Sequence, residues 1–484
     1  MRVFARIRFF LAGIACLLLC ACAGKDVPPV YQGPPCQDVL SLPQDLAIYA
    51  ADAGGSAPLV SQSAQTAAAG RQRDRFYRPW RLQKPSAWVQ EALGKDFSLR
   101  REVGFLAVRR PYSEGQWAAL VENSNKEAFG REAGPAISVR HSNLRALPTA
   151  LPYYLSPELP GEGYPFDYFQ HSSISPGTPL YICNISRDRQ WVLAESAATA
   201  GWLPARDVAR TDAAFMSYWQ SRPLAALVRD NVFLNGHRAH IGTLLPMPAG
   251  SPSMLLLPLG GPAGGLSGPR EHGEQGEQDK KASVHLVSVA PGDAVAVPMP
   301  LSADNIAAVG NRMLGQPYGW GGLDEKRDCS ALTRDLLAPF GIYLPRNSGS
   351  QAGVGRRVDL TGLALEAKEA AIRQEAAPFR SLVCLKGHIG LYLGVYQGRT
   401  LMFHNMWGLG IKDPDIGCKG RAIVGKAVVT TLRPGVERPD LCTPGSYLER
   451  IERIAVLLDS DAPKAQAPKG GKKRKARAKT GTGL

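Results

Sequence analysis

Cys329, His388 and His404 are the residues of this 484-residue chain whose types and spacing suit covalent chemistry. Asp328-Cys329-Ser330 opens an apolar, helix-like stretch with Leu332, Leu336 and Phe340 at i, i+4 and i+8. A cysteine at a helix start meets free N–H groups and the positive end of the macrodipole, which favour the nucleophilic thiolate. Such a nucleophile needs a group that takes a proton and returns it, and an imidazole near neutral pH does both. His388 opens one strand-like run, residues 388–395, and His404 closes the next, residues 400–404. If those strands are antiparallel neighbours, His404 holds one nitrogen of His388 and leaves the other for Cys329. Spacing alone leaves plainer roles open, since a lone cysteine is often a small core residue. Cys384 is a competing thiol four residues before His388, but it sits in an apolar strand without a helix start and reads as core.

The elements that must position these residues lie in residues 301–460, which read as α+β. Ser302 is placed to cap a helix with Ile306, Val309 and Met313 on one face, and Pro339 and Gly341 are placed to end the helix after Cys329. Between them runs a Gly-rich aromatic loop, Tyr318-Gly319-Trp320-Gly321-Gly322. Upstream, residues 136–212 alternate short apolar runs with Pro and Gly turns, the pattern of a small antiparallel barrel. Residues 213–300 repeat the style and form a second barrel, interrupted by a Gly-rich charged insertion at 260–283 that reads as mobile. A single larger β domain is the alternative. Residues 37–135 are mixed and partly helical, with helices expected at 86–93, closed by Gly94, and at 113–129.

The net charge of +15 suggests nucleic acid, but its distribution does not. Eight basic residues lie in the tail from Lys464 to Lys479 and three more are Arg2, Arg6 and Arg8, leaving about +4 for the body. No specific nucleic-acid partner is expected, and residues 461–484 read as a disordered basic tail. The arginines precede an apolar run at 9–19, too short to span a bilayer comfortably. The run ends in Leu19-Cys20-Ala21-Cys22, which resembles a bacterial lipobox and makes Cys22 the lipidated residue, with 1–22 as signal and 23–36 as a Pro- and Gly-rich tether. That places a monomer on the periplasmic face of a membrane; Ala23 after the lipid cysteine favours the outer membrane. Among the remaining cysteines, Cys418 and Cys442 are a possible bridge, and no spacing suggests zinc or any other metal.

Four segments in order resemble the NlpC family of cell-wall cysteine peptidases: Gln316-Pro317-Tyr318-Gly319-Trp320-Gly321-Gly322, Asp328-Cys329-Ser330, Gly341-Ile342-Tyr343-Leu344-Pro345-Arg346-Asn347-Ser348 with Gln351, and Gly387-His388-Ile389-Gly390-Leu391-Tyr392. The stretch from Pro160 to Gln170 resembles the bacterial SH3-like modules of such proteins, and Phe76-Tyr77-Arg78-Pro79-Trp80 their N-terminal stabilising region. The resemblance implies a papain-like fold with Cys329 as nucleophile, His388 as base and His404 as orienting residue, and no cofactor. It implies hydrolysis of the γ-D-glutamyl–diamino acid bond of peptidoglycan stem peptides or muropeptides, with preference for a free L-Ala amine. On that reading Asp328 meets the ammonium group, Tyr318 and Ser330 bond nearby, and Ser348 takes the D-Glu carboxylate. Asn347 stands where relatives often carry Asp, and Glu162, Asp167 and Tyr168 of the first barrel wall off the site. The alternatives are a non-catalytic wall-binding lipoprotein and amidase or acyl-transfer chemistry on the same core.

Overall fold

The computed structural model describes residues 36–96, 104–107, 110–248, 251–261, 281–442 and 446–459. The expected signal, Cys22, most of the tether, the middle of the insertion and the basic tail lie outside the described residues. No helix among the described residues is long and apolar enough to cross a membrane.

The C-terminal domain is a six-stranded sheet in the order Arg356–Asp359, Ile451–Val456, Ser381–Leu385, His388–Tyr396, Arg399–Asp413, Gly417–Thr431, all antiparallel. Helix Cys329–Leu337 lies against its middle, because Leu332 and Leu336 share one buried core with Ile389, Leu391 and Phe403. Helix Ala303–Asn311 packs into the same core through Ile306 and Val309, and Ser302 caps it by accepting the Asn305 N–H at 3.2 Å. The Cys329 helix gives way to a 3-10 turn at Ala338–Phe340, which holds Pro339, and Gly341 follows at φ 78°. Cys418 and Cys442 are disulfide-bonded, and Cys384 is a buried strand residue.

The first barrel's strands, from Gly134–Ser138 to Val208–Arg210, curl around Leu144, Leu180, Ile182, Val192 and Leu203. The second barrel has a small sheet of Leu224–Leu227, Leu244–Pro246 and Ala294–Ala296. The boundary between the barrels is less sharp than the sequence suggests. The hairpin of Met254–Gly261 and Lys281–Ser288, which flanks the expected insertion, extends the first barrel's sheet through Lys281 and Arg210 into nine strands. Its Leu255, Leu256 and Leu257 share a core with Ile137 of the first barrel and Leu245 of the second, so burying this apolar strand ties the two together.

The N-terminal region is a wrap rather than a separate body. In helix Gln62–Phe76, Gln65 donates to the carbonyls of Met299 and Phe340, and Gln72 to that of Ala338. The Trp80 indole donates to Ala136 of the first barrel at 2.7 Å. Helix Ala87–Asp96 runs past Gly94, and the stretch expected at 113–129 is helix Glu114–Asn123 followed by a short 3-10 turn.

The first described residues reach the far end of the chain. Strand Gly417–Thr431 is the last of its sheet, so its outward backbone groups would lack partners. Gln44 supplies them at Val429, donating to its carbonyl at 3.0 Å and accepting its N–H at 2.9 Å. Asp38 accepts from the Thr431 N–H at 2.8 Å and hydroxyl at 2.7 Å. At ~0.5–1.5 kcal/mol per net hydrogen bond, Gln44→Ala should weaken this edge by about 1–3 kcal/mol. Deuterium uptake in a peptide covering 427–432 should then quicken by about tenfold or more, with 191–204 unchanged; equal uptake would show that Gln44 does not brace the edge.

Candidate active site

Asp328 builds the start of the Cys329 helix. As N-cap its Oδ1 accepts the Ala331 N–H at 2.8 Å and the Ser330 hydroxyl at 3.0 Å, while Oδ2 accepts the Gly321 N–H at 3.1 Å. Arg346 meets both oxygens, Nη2 to Oδ2 at 2.6 Å and Nη1 to Oδ1 at 3.1 Å. The same guanidinium reaches Ser330 Oγ at 3.0 Å and, through Nε, Ser172 Oγ of the first barrel at 2.7 Å. Burial alone would raise the Asp328 carboxyl, but Arg346 and these N–H and O–H donors outweigh it and hold the group below the usual range.

The residue before it is fixed by the second barrel. Arg327 pairs with Asp230 through both terminal nitrogens, at 2.9 and 2.7 Å, and with Asp335 through Nε at 2.8 Å. The Gly-rich loop is fixed by the first barrel. Gly321 and Gly322 have φ of 61° and 87°, and a Cβ on either would collide with Gln170 or Ser173. Without side chains there, Gln170 Nε2 donates to the Gly321 carbonyl at 3.1 Å.

The two histidines meet as the spacing predicts. His388 Nε2 lies 2.7 Å from His404 Nδ1, and His404 Nε2 lies 2.9 Å from Thr430 Oγ1. Gly390 makes room for this, since a Cβ there would come within 3.0 Å of the His404 Cβ. The Tyr447 ring covers both imidazoles, 5.1 Å from His388 and 5.6 Å from His404. The backbone N–H groups of Ile389 and Ser330 both address the Cys329 sulfur, so the neighbour of His388 in sequence touches the nucleophile. With Nε2 of His388 engaged, Nδ1 is the nitrogen left for the thiol.

The charge state differs from the expectation. Burial, and then the Asp328 charge, push the Cys329 thiol up to about 12, against the lowering effect of the two N–H groups. Burial, and then Arg450, push His388 down to about 3, and burial with His388 beside it holds His404 well below its ordinary value. The helix start does supply a donor, but desolvation is the larger effect, and the resting pair is a neutral thiol with a neutral imidazole.

Other expected site residues fall into three groups. Tyr318 and Ser330 stand beside Cys329 and Asp328; the Tyr318 hydroxyl is raised well above its usual value first by burial and then by the neighbouring acidic groups of Cys329 and Asp328. Tyr168 faces the loop, its ring 5.8 Å from Trp320, and Glu162 is near enough to act on Tyr168 and on Arg421 of the long hairpin. Asp167 has a framework role: it is 2% exposed, pairs with Arg145 at 2.6 Å and accepts the N–H groups of Tyr153 and Phe169. It shapes the turn that presents Tyr168 instead of walling off the cleft itself. Asn347 caps helix Ser348–Gln351 through the Ser350 N–H at 2.9 Å, a task a carboxylate performs equally well, and Ser348 opens that helix half-buried.

Several residues with a part in the site were not singled out from the sequence. Arg346 and Gln351 were visible only as motif letters; Gln351 donates to the Ser330 and Pro345 carbonyls and accepts the Thr333 hydroxyl, fixing the Ser348 helix against the Cys329 helix. Phe166 packs between the Gly-rich loop and the long hairpin, its ring tilted 5.2 Å from Trp320 and edge-on 5.4 Å from Trp407. Thr430 and Tyr447 carry no local signal.

Comparison with known proteins agrees with this geometry. Residues 315–418 match the NlpC/P60 family model, 11–129 the N-terminal NLPC_P60 stabilising domain, 152–204 an SH3 domain of SH3b1 type and 212–249 an SH3 domain of SH3b2 type. No curated protein matches. Among solved structures, an NlpC/P60 endopeptidase from Photobacterium damselae subsp. piscicida is 24% identical over 87% of this chain and 98% of its own, with a TM-score of 0.75, which shows a shared fold. An NlpC/P60 family protein from Bacillus cereus is 16% identical over 67% of this chain and 100% of its own, at a TM-score of 0.41, and no argument rests on it. A cysteine at the start of a helix packed on a sheet that bears the histidines is the papain-like arrangement. The chain is a multidomain member of the NlpC/P60 family, with its stabilising domain and two SH3 domains preceding the peptidase domain.

Proposed function

We propose that this protein is a peptidoglycan cysteine endopeptidase that hydrolyses the γ-D-glutamyl–L-diamino acid bond of stem peptides with a free N-terminal L-Ala. It would work from a lipid anchor at Cys22 on the periplasmic face, at the outer membrane. The observation that carries the chemistry is a thiol at the head of a helix whose sulfur meets the N–H of Ile389, the residue after His388, with His388 bonded to His404.

In this reading the Cys329 sulfur attacks the γ-carbonyl carbon while its proton passes to Nδ1 of His388. The negative charge moves to the carbonyl oxygen. At the helix start the Ala331 N–H is taken by the Asp328 side chain, the Leu332 N–H by the Asp328 carbonyl and the Ser330 N–H by the sulfur, which leaves the Cys329 N–H as the oxyanion donor. The C–N bond then breaks, the imidazolium returns its proton to the leaving amine, and the acyl-enzyme forms. His388 next takes a proton from water, the hydroxide adds to the thioester carbon, and the thiolate leaves and recovers its proton from His388. Starting from a neutral pair, the charge separation arises only as the bond forms.

The substrate's ammonium end is assigned to the barrel side of the site. Asp328 already carries Arg346, so its charge is largely balanced, and Glu162 on the facing turn adds the negative charge the amine needs. The rings of Phe166, Tyr168 and Trp320 close that side. A longer substrate would have to pass this wall, which favours short peptides with nothing attached to the amine.

Two outcomes are expected. Protein lacking residues 1–22 should release the diamino-acid amine from L-Ala-γ-D-Glu-diaminopimelate, seen by mass, and should leave the N-acetylated peptide intact; Cys329→Ala should cut neither. Cleavage of both peptides would remove the amine pocket and keep the enzyme; cleavage by Cys329→Ala would remove the nucleophile. The second outcome concerns pH. Neutral His388 is the active form and burial lowers its pKa to about 3 from the ordinary 6.5, so protonation should silence it only well below pH 6. kcat/KM should therefore hold between pH 7 and pH 5; a fall centred near 6.5 would mean a solvated His388.

A further inference from the structure

We infer that Thr430 is a positioning residue that fixes which nitrogen of His388 is free to act as the base. The inference rests on the peptidase reading for its importance, and on hydrogen-bond bookkeeping for its content. Thr430 is fully buried, and its Oγ1 lies 2.8 Å from the Thr431 carbonyl oxygen. A carbonyl only accepts, so the single hydroxyl proton points there. Toward His404 Nε2, at 2.9 Å, the same oxygen is then an acceptor, and Nε2 must carry a proton. A neutral imidazole has one ring proton, so His404 Nδ1 is a lone pair. That lone pair accepts from His388 Nε2–H at 2.7 Å. His388 therefore keeps its own lone pair on Nδ1, the nitrogen that His404 leaves free for the thiol.

The chain of assignments begins at one hydroxyl and ends at the base. Reversing the Thr430 hydroxyl would reverse both rings and turn an N–H toward the sulfur. The surroundings hold the starting point in place. Asp38 accepts the N–H and hydroxyl of Thr431, and Gln44 binds both backbone groups of Val429, so the strand segment carrying Thr430 is fastened on each side. The other polar and charged groups acting on the pair are Tyr447, whose ring covers both imidazoles and which itself feels Arg450 and Cys329, and Arg450 and Asp328 around His388.

The test is made on the protein labelled with ¹⁵N-histidine. Long-range ¹⁵N–¹H correlations distinguish the two neutral tautomers and need no substrate. Both His404 and His388 are expected as Nε2–H forms in the wild type; His404 as the Nδ1–H form overturns the inference by itself, whether or not any peptide is cut. Thr430→Val keeps the shape and removes the acceptor. It should lower kcat on the stem peptide by about tenfold or more at unchanged KM, part of the ~10⁴ that a wrong tautomer costs a histidine-based triad. Thr430→Ser should recover most of that loss. Full kcat in Thr430→Val, or an equal loss in Thr430→Ser, overturns the inference. If Thr430→Val does not fold, the wild-type tautomers decide. Lack of activity in the wild type itself would count against the peptidase reading alone.

Discussion

The site depends first on one buried ion pair, Asp328 with Arg346. The carboxylate caps the nucleophile's helix, holds the Gly-rich loop through Gly321 and orients Ser330, while the guanidinium continues to Ser172 on the first barrel. Neither charge is tolerable alone at this depth: removing one partner of such a pair costs on the order of 3–5 kcal/mol, because the other is left uncompensated. The pair therefore links folding of the helix start to docking of the barrel. A first barrel that is not seated leaves Arg346 short of a partner, and a loop that is not seated leaves Asp328 short of an N–H.

The neighbouring residue repeats the logic with the second barrel. Arg327 is held by Asp230 and Asp335 and receives Asn405 Nδ2–H on its carbonyl at 2.8 Å. Three consecutive residues, Arg327, Asp328 and Cys329, are thus tied to the second barrel, the first barrel and the histidine strand. The SH3 domains are part of the frame of the site as well as neighbours of it. The same dense packing strips water from Cys329 and His388 and sets them as a neutral pair, so the enclosure that shapes the substrate wall also sets the proton inventory.

Much of this was legible from local sequence because its physics is local. A Cys after an Asp at a helix start, two histidines at strand spacing and Ser302 before an amphipathic run each report on a few neighbouring residues, and each stands where its pattern put it. What was not legible depends on distance. Burial is a property of the whole fold, so the raised thiol could not be read from a helix start that by itself argues for a thiolate. Asp167 looked like a cleft residue because its turn resembles one, yet the partner that claims it, Arg145, is 22 residues away. The hairpin shared between the barrels has strand composition in either assignment; only its pairing to Arg210 shows which sheet it joins. Thr430 is one threonine among β-branched neighbours until His404 is beside it.

The fastening of the edge strand Gly417–Thr431 by Asp38 and Gln44 has a consequence for how the chain is made. Gln44 and Val429 are 385 residues apart, and Asp38 and Thr431 are 393 apart. During synthesis Gln44 and Asp38 emerge long before their partners. Contacts of such sequence separation close late, after the loop-closure entropy of the intervening domains has been met by their own folding. Until then the sheet edge behind His404 is open and Thr430 has no fixed backbone to hold it. The completed proton relay is thus a late product of folding, and a nascent or truncated chain carries the nucleophile without it.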